Sequence, residues 1–129
     1  MMKKVILMIL FVFLLTACGQ TTGNQQEAAY MNITAQEAKI IMDSQEGFVI
    51  LDVREQYEYD ESHIPGAVLL PLGQVEEKAQ EVLPDKEQLI LVYCRSGRRS
   101  KQAAEALVKL GYTNIKEFGG IIDWPYEVE

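Results

Sequence analysis

Two short runs of mainly apolar and β-branched residues, 48–53 and 89–93, constrain the fold of this chain more than any other feature. Runs of this length without a polar face are typical of strands that are buried on both sides, as in parallel sheets covered by helices. Helical patterns alternate with the strands along the chain. Further strands are predicted at residues 67–70 and 114–118, and helices after Thr34 and over residues 55–61, 74–83 and 99–110. The sequence therefore predicts an α/β fold with a mainly parallel sheet and helices on both faces.

Cys94 directly follows the second apolar run and precedes the helix predicted over residues 99–110. Ligands of parallel α/β sheets bind outside the carboxyl ends of the strands. A helix N-terminus offers unpaired N–H groups and partial positive charge, and the nearby arginines add to that field. Both favour the thiolate, which is the nucleophilic form of cysteine. The alternative is a structural cysteine, but such residues lie in apolar surroundings without adjacent arginines. We therefore expect Cys94 to be a catalytic nucleophile.

The first residues of the chain have the pattern of an export signal. Lys3 and Lys4 precede an unbroken apolar run at residues 5–15, and small residues then lead to Cys18. Eleven residues are too few to span a bilayer, which needs roughly 20, but they suit a signal peptide. The segment resembles the lipobox of bacterial lipoproteins, in which the chain is cut before a cysteine that carries a lipid. A plain secreted protein and a retained signal anchor are the alternatives.

This resemblance implies three parts: a signal peptide over residues 1–17, a lipidated Cys18 with a flexible tether over 18–29, and a folded domain over 30–129. The tether is rich in Gly, Thr, Asn and Gln and has no apolar periodicity. The expected location is the cell envelope, on the outer face of the cytoplasmic membrane or in the periplasm. The membrane would be contacted through the lipid only.

Charge limits the partners of the mature chain. Removal of Lys3 and Lys4 leaves 10 basic residues against 19 acidic ones, which is a net charge of −9. A surface this acidic repels nucleic acids and anionic lipid headgroups, so neither is expected as a partner. The three arginines close to Cys94 instead indicate a small anionic ligand, unless they pair with surface carboxylates. Once Cys18 is lipidated, Cys94 is the one remaining cysteine and has no partner for an internal disulfide.

Four stretches in this order resemble the rhodanese family, and together they extend from about Ile33 to Trp124. They are Ile-Leu-Asp-Val-Arg at 50–54, His-Ile-Pro-Gly-Ala at 63–67, Cys-Arg-Ser-Gly-Arg-Arg-Ser at 94–100, and Phe-Gly-Gly at 118–120 followed by Trp124. The resemblance implies a single-domain rhodanese with a five-stranded, mainly parallel sheet. It also implies sulfurtransferase activity through a cysteine persulfide, with thiosulfate as donor, cyanide or a thiol as acceptor, and no metal or organic cofactor.

The resemblance and the residue chemistry together assign roles within the site. Cys94 would hold the transferred sulfur, while Asp52 and Arg54 would organise the edge of the site by hydrogen bonding. A short loop with inward N–H groups can cradle an anion, and arginines would attract the dianionic donor. The residues expected to bind substrate are Arg95, Ser96, Gly97, Arg98 and Arg99. His63 is expected to be a structural hydrogen-bonding residue rather than a general base, because an activated thiolate needs no base.

Two other functional classes remain open at this stage. Phosphatases and arsenate reductases of the Cys-x5-Arg type also place a cysteine on an anion-binding loop, but their arginine would fall at Ser100, whereas this chain has Arg99. A non-enzymatic domain that binds a partner or senses sulfur or oxidants through Cys94 is the second class. Thiosulfate:cyanide turnover separates this second class from a sulfurtransferase.

The lipobox resemblance leads to the first prediction. Cys18→Ala should move the protein from the membrane to the soluble fraction, because the lipid on this cysteine is the expected anchor. Fractionation followed by immunoblotting measures the distribution, and turnover by the isolated domain is the control that should not change. Persistent membrane attachment of the variant would mean that the apolar segment itself remains as the anchor.

Overall fold

The computed structural model describes residues 29–129, which contain five strands and four helices in regular alternation. The strands are β1 (Tyr30–Asn32), β2 (Val49–Asp52), β3 (Val68–Leu69), β4 (Ile90–Cys94) and β5 (Ile115–Gly120). The helices are α1 (Ala35–Ser44), α2 (Gln56–Glu61), α3 (Val75–Val82) and α4 (Arg98–Lys109), with 3-10 turns at Leu72–Gln74 and Ile121–Asp123.

The five strands form one sheet in the order β1-β5-β4-β2-β3, and every neighbouring pair is parallel. β4 is therefore central, and all five of its residues are buried. Its last residue, Cys94, pairs with Gly120 at the end of β5 across an irregularity in the register. The predicted parallel sheet with helices on both faces is confirmed, and Cys94 lies at the carboxyl edge of its central strand.

Each face of the sheet is covered by a separate apolar cluster, because successive side chains of a strand point to opposite faces. On one face, Leu51, Val92 and Cys94 pack against α3 and α4. On the other face, Leu91 and Tyr93 pack against α1, and the partly buried Tyr59 of α2 adds to this cluster. The alternation along β4 thus places the side chains of Tyr93 and Cys94 on opposite faces of the sheet.

Local signals in the sequence account for most element boundaries. Thr34 caps α1 in a capping box with Glu37, as the motif predicts. Gly111, which adopts the left-handed conformation at φ 95°, follows the last turn of α4 and ends that helix. The sequence pattern did not reveal β1, because it has three residues and lies at an exposed edge of the sheet.

The predicted export signal and tether fall almost wholly outside the described residues, so they stay predictions. Among residues 29–129, no helix is long and apolar enough to cross a membrane. The first strand of the described residues begins at Tyr30. The division into signal, tether and domain stays a prediction.

Candidate active site

Cys94 sits at the junction of β4 and the loop that leads into α4, and it is 1 % exposed. The backbone N–H of Gly97 donates a hydrogen bond to Cys94 Sγ at 3.0 Å. The hydroxyl oxygen of Ser100, in the first turn of α4, lies 3.4 Å from the same sulfur. Burial alone is typical of a structural cysteine. A sulfur that faces hydrogen-bond donors at a helix N-terminus is instead in a position that favours the thiolate.

These donors lower the pKa of Cys94 below its ordinary value. Burial of the thiol raises its pKa, but the hydroxyl of Ser100 and the backbone N–H groups of Ser100, Gly97 and Ser96 together outweigh this effect. Hydrogen bonds to the anionic form favour that form, which is the cause of the net decrease. The predicted activation of Cys94 by the start of α4 thus has a physical basis in named contacts.

The loop can reach this geometry because two glycines allow it. Gly97 has φ 105°, a left-handed conformation that residues with a Cβ rarely adopt. Gly120 lies directly under the loop: a methyl group at this position would overlap the carbonyl of Arg95 and lie 2.6 Å from Ser96 Cα. The N–H of Ile122 also donates to the Arg95 carbonyl at 3.2 Å. The backbone of Gly120, in the Gly119-Gly120 pair, therefore packs directly against the loop that follows Cys94.

The three arginines that follow Cys94, one in the loop and two at the start of α4, occupy different environments. Arg95 and Arg98 are exposed. Arg99 is partly buried and forms a bidentate ion pair with Glu58 of α2, with N–O distances of 2.7 and 2.8 Å. Donor binding by Arg95, Arg98 and Arg99 stays a prediction, but the charge of Arg99 already has a carboxylate partner.

The Arg99–Glu58 pair joins α4 on one face of the sheet to α2 on the other. Hydrogen bonding to Arg99 lowers the pKa of Glu58 to about 2; burial opposes this shift, while the backbone N–H of Glu55 and the charges of Arg99 and Arg54 support it. In turn, the hydrogen bond to Glu58 raises the pKa of Arg99. The pair therefore connects two helices that do not share a core cluster.

Asp52 and Arg54 form a second polar network at the same edge of the sheet. The fully buried Asp52 carboxylate accepts hydrogen bonds from Arg54 Nη2 at 2.8 Å and from the Tyr93 hydroxyl at 2.5 Å. Arg54 also donates to the Ser62 carbonyl, and the N–H of Ile64 donates to the Tyr93 hydroxyl. Burial and then the bond to Asp52 raise the pKa of Tyr93. Asp52 and Arg54 thus fix the segment over residues 62–64 and make no hydrogen bond to Cys94.

His63 and Trp124 have structural contacts. His63 Nδ1 donates to the Tyr59 carbonyl at 2.8 Å, and the two rings stack with centroids 3.8 Å apart. Trp124 packs against Phe118 and Tyr126. A cavity of about 1010 Å³ is lined by residues of α1, β2 and the segment after Trp124, but by none from the Cys94 loop. The expectation that His63 is a structural hydrogen-bonding residue agrees with these contacts.

The sequence predicted no role in the site for three residues: Ser100, Glu58 and Glu117. Ser100 is fully buried beside Cys94, and Glu117 of β5 is 2 % exposed and accepts a hydrogen bond from the Ser100 hydroxyl at 2.6 Å. The available signal for Glu117 was its position two residues after the apolar Ile115 in a predicted strand, which puts a carboxylate on the same face of the sheet as Ile115. Among residues 29–129, no group of three or more His, Cys, Asp or Glu side chains could hold a metal ion.

Comparisons with known proteins agree with this architecture. The family described as Rhodanese-like domain matches residues 34–125. The chain is 38% identical over 112 residues to the putative sulfur carrier protein YrkF of Bacillus subtilis, covering 86% of this chain and 60% of that protein. It is 41% identical over 73 residues to the thiosulfate sulfurtransferase PspE of Escherichia coli, covering 57% and 70% of the two chains. A solved structure described as a rhodanese with anions from E. coli superposes with a TM-score of 0.59 at 37% identity, covering 63% and 95%.

The contact under the loop gives the second prediction. Gly120→Ala should displace the backbone of Arg95 and Ser96, since the added methyl group has no room. We expect a loss of about 1–3 kcal/mol in the free energy of unfolding and a reduction in Cys94 reactivity of about 100-fold. Denaturant unfolding and the rate of thiol alkylation measure the two effects. Gly73→Ala is the matched control, because Gly73 has no atom within 4 Å of an added methyl and no positive φ; equal effects at both glycines would contradict the steric role.

The Glu58 carboxylate gives the third prediction, on acid stability. Its pKa in the folded protein, about 2, lies below the ordinary 4.5, so its contribution is complete above pH 4.5 and is lost as the pH falls toward 2. Glu58→Gln should remove up to about 3 kcal/mol of pH-dependent stability in this window. Denaturant unfolding at a series of pH values measures it, with the exposed Glu61→Gln as control. An unchanged acid slope in Glu58→Gln would show that the ion pair with Arg99 adds no pH-dependent stability.

Proposed function

This chain belongs to the rhodanese-like domain family, and from this membership we propose that it is a thiosulfate sulfurtransferase that carries sulfur as a persulfide of Cys94. Its relatives include proteins named thiosulfate sulfurtransferase, which supports transfer of sulfur as the reaction class. The observation that carries the proposal is the set of backbone N–H groups of Ser96, Gly97 and Ser100 directed at Cys94 Sγ. These groups stabilise an anionic sulfur, which is the form of both the attacking thiolate and the persulfide.

The proposed reaction has two half-reactions. The Cys94 thiolate attacks the outer sulfur of thiosulfate; a Cys94 S–S bond forms, the bond between the two sulfurs of thiosulfate breaks, and its electron pair leaves with sulfite. Cyanide or a thiolate acceptor then attacks the outer sulfur of the persulfide, and the electron pair of the S–S bond returns to Cys94. Each step is a nucleophilic displacement at sulfur, so ping-pong kinetics follow. Neither step requires a metal or an organic cofactor, in line with the expected absence of both.

The loop supports this chemistry in two ways. The N–H groups of Ser96, Gly97 and Ser100 form a concave set of donors for an anion, as backbone nests do. Arg95 and Arg98 are exposed at the same loop and would attract a dianionic donor toward a protein whose net charge is negative. We assign Arg99 to the same electrostatic field, although its bidentate pair with Glu58 reduces its share. Asp52 and Arg54 are proposed to organise the edge of the site through Tyr93.

The location of the protein is a separate proposal that rests on the sequence alone. We propose that residues 1–17 are a lipoprotein signal, that Cys18 carries a lipid, and that residues 18–29 tether the domain over 30–129 on the extracytoplasmic side of the membrane. The sulfur donor and acceptor would then be small molecules of that compartment, with neither nucleic acid nor a lipid headgroup as partner.

The fourth prediction tests the proposed reaction. Cys94→Ser should reduce thiosulfate:cyanide turnover by a factor on the order of 1000 or more, because a serine hydroxyl is not ionised at neutral pH. Turnover is measured as thiocyanate formed, and mass spectrometry of the wild-type protein after thiosulfate alone should show the mass of one added sulfur atom. The far-ultraviolet circular dichroism of the variant, which should match wild type, is the control for folding.

Three outcomes would overturn the proposal. Turnover by Cys94→Ser near the wild-type rate would mean that another group transfers the sulfur. A wild-type protein that neither turns over thiosulfate nor gains a sulfur, but whose Cys94 is reversibly oxidised, would be a redox sensor. Hydrolysis of p-nitrophenyl phosphate in place of sulfur transfer would favour a phosphatase, despite Ser100 at the position where such enzymes have arginine.

A further inference from the structure

Glu117 is a buried carboxylate that the proposed reaction does not use. It lies on β5, next to β4, and it is 2 % exposed. Its Oε1 atom accepts a hydrogen bond from the N–H of Gly119 at 2.8 Å and one from the hydroxyl of Ser100 at 2.6 Å. Ser100 Oγ is in turn 3.4 Å from Cys94 Sγ. A continuous chain of contacts therefore leads from the carboxylate to the sulfur.

The hydroxyl of Ser100 has one proton and several acceptors around it. The Gly97 carbonyl is 3.0 Å away, the Gly119 carbonyl and Cys94 Sγ are both 3.4 Å away, and Glu117 Oε1 is closest. Hydrogen bonds to a carboxylate are shorter and about twice as strong as those to neutral acceptors. While Cys94 is a thiol, Ser100 therefore donates its proton to Glu117 and accepts a hydrogen bond from the thiol. The hydrogen bond from Ser100 that lowers the Cys94 pKa forms only when the thiolate draws this proton away from Glu117.

We propose that Glu117 is a positioning residue that acts on Cys94 through Ser100: it holds the Ser100 hydroxyl proton and so withholds one hydrogen bond from the sulfur. When Cys94 becomes a thiolate, that anion and the Glu117 carboxylate compete for the single proton. A thiolate with fewer donors is more basic, and a more basic thiolate is a stronger nucleophile toward sulfur. The inference deepens the proposed function, and it rests on it in treating Cys94 as the nucleophile.

Other charged groups near this chain of contacts do not reproduce its effect. Arg99, whose pKa is raised by the hydrogen bond to Glu58 and in part by the charge of Cys94, is bound by Glu58 in an ion pair and acts on the sulfur only through its charge, not through a hydrogen bond. Arg95 and Arg98 are exposed, and the carboxylate of Asp52 is bound by Arg54 and Tyr93. Burial raises the pKa of the phenol of Tyr30 on β1, and the carboxylates of Glu105 and Glu117 raise it further. The direct link from a carboxylate to the sulfur through one hydroxyl belongs to Glu117.

Glu117→Gln provides the test, because the amide keeps the size of the side chain and an acceptor for Ser100 and Gly119. A neutral acceptor no longer outcompetes the thiolate, so Ser100 should turn its hydroxyl to Cys94. We expect the pKa of Cys94 to fall by about one unit and the pH-independent rate of thiosulfate attack to fall about threefold. Thiolate absorbance against pH and the single-turnover rate of persulfide formation measure the two quantities.

Two controls separate this role from a general charge effect. Glu105→Gln removes an exposed carboxylate of α4 that also faces Tyr30 but has no bond to Ser100, and it should leave the pKa of Cys94 within a few tenths of a unit. In a Ser100→Ala background, Glu117→Gln should shift that pKa by much less than it does in wild type. An equal shift in both backgrounds, or a rise in the pKa, would overturn the proposal.

A measurement on the unaltered protein covers the case in which Glu117→Gln does not fold. The ¹³C signal of the Glu117 carboxyl group should show an inflection at the pH where the Cys94 thiolate appears, since both share the Ser100 proton. A signal that does not respond at that pH would overturn the proposal. None of the thiolate measurements uses thiosulfate as substrate. If wild-type protein transfers no sulfur but Glu117→Gln still lowers the pKa of Cys94 as expected, the proposed function is refuted and this inference stands.

Discussion

The backbone contact between Gly120 and the loop after Cys94 is the constraint on which the site depends. Parallel pairing of β4 and β5 brings Cys94 beside Gly120, and the absence of a side chain there lets the carbonyl of Arg95 descend onto β5. With the loop at this depth, the N–H of Gly97 points at the sulfur and the hydroxyl oxygen of Ser100 lies 3.4 Å from it. The environment of the Cys94 sulfur thus depends on Gly120, which is 26 positions away in sequence and has no side chain.

Two neighbouring residues of β4 connect this edge of the sheet to two separate polar networks. Tyr93 points to the face of α1 and joins Asp52 and Arg54, whereas Cys94 points to the face of α4 and joins Ser100 and Glu117. Each network contains a buried carboxylate that accepts hydrogen bonds, through both oxygens of Asp52 and through Oε1 of Glu117, as burial of such groups demands. The ion pair of Arg99 with Glu58 then links the two sides over the edge.

The fold could be predicted from local signals, because buried strands, a capping box and a helix-ending glycine each leave a pattern within a few residues. The prediction that Cys94 lies at a strand end before a helix followed from the same local patterns. The site beyond Cys94 depends on contacts between distant segments, and these leave no such pattern. The partner of Arg99 is on α2, and the partner of Ser100 is on β5. A sequence shows that an arginine is present but not that a carboxylate 41 positions earlier already binds it. β1 escaped detection for a related reason, since its pairing with β5 and not its composition makes it a strand.

The near-complete burial of Cys94 should make its reactions selective for small reagents. The rate at which a reagent modifies a thiol usually depends on how electrophilic the reagent is. Because Cys94 is 1 % exposed, the size of the reagent should also affect the rate. Because Cys94 is almost fully covered, we expect compact species to react with its sulfur faster than bulky maleimides or protein disulfides. Selectivity of this kind needs no recognition of the excluded molecules. In a compartment rich in oxidised thiols, it would keep the nucleophile free of mixed disulfides without any dedicated reductant.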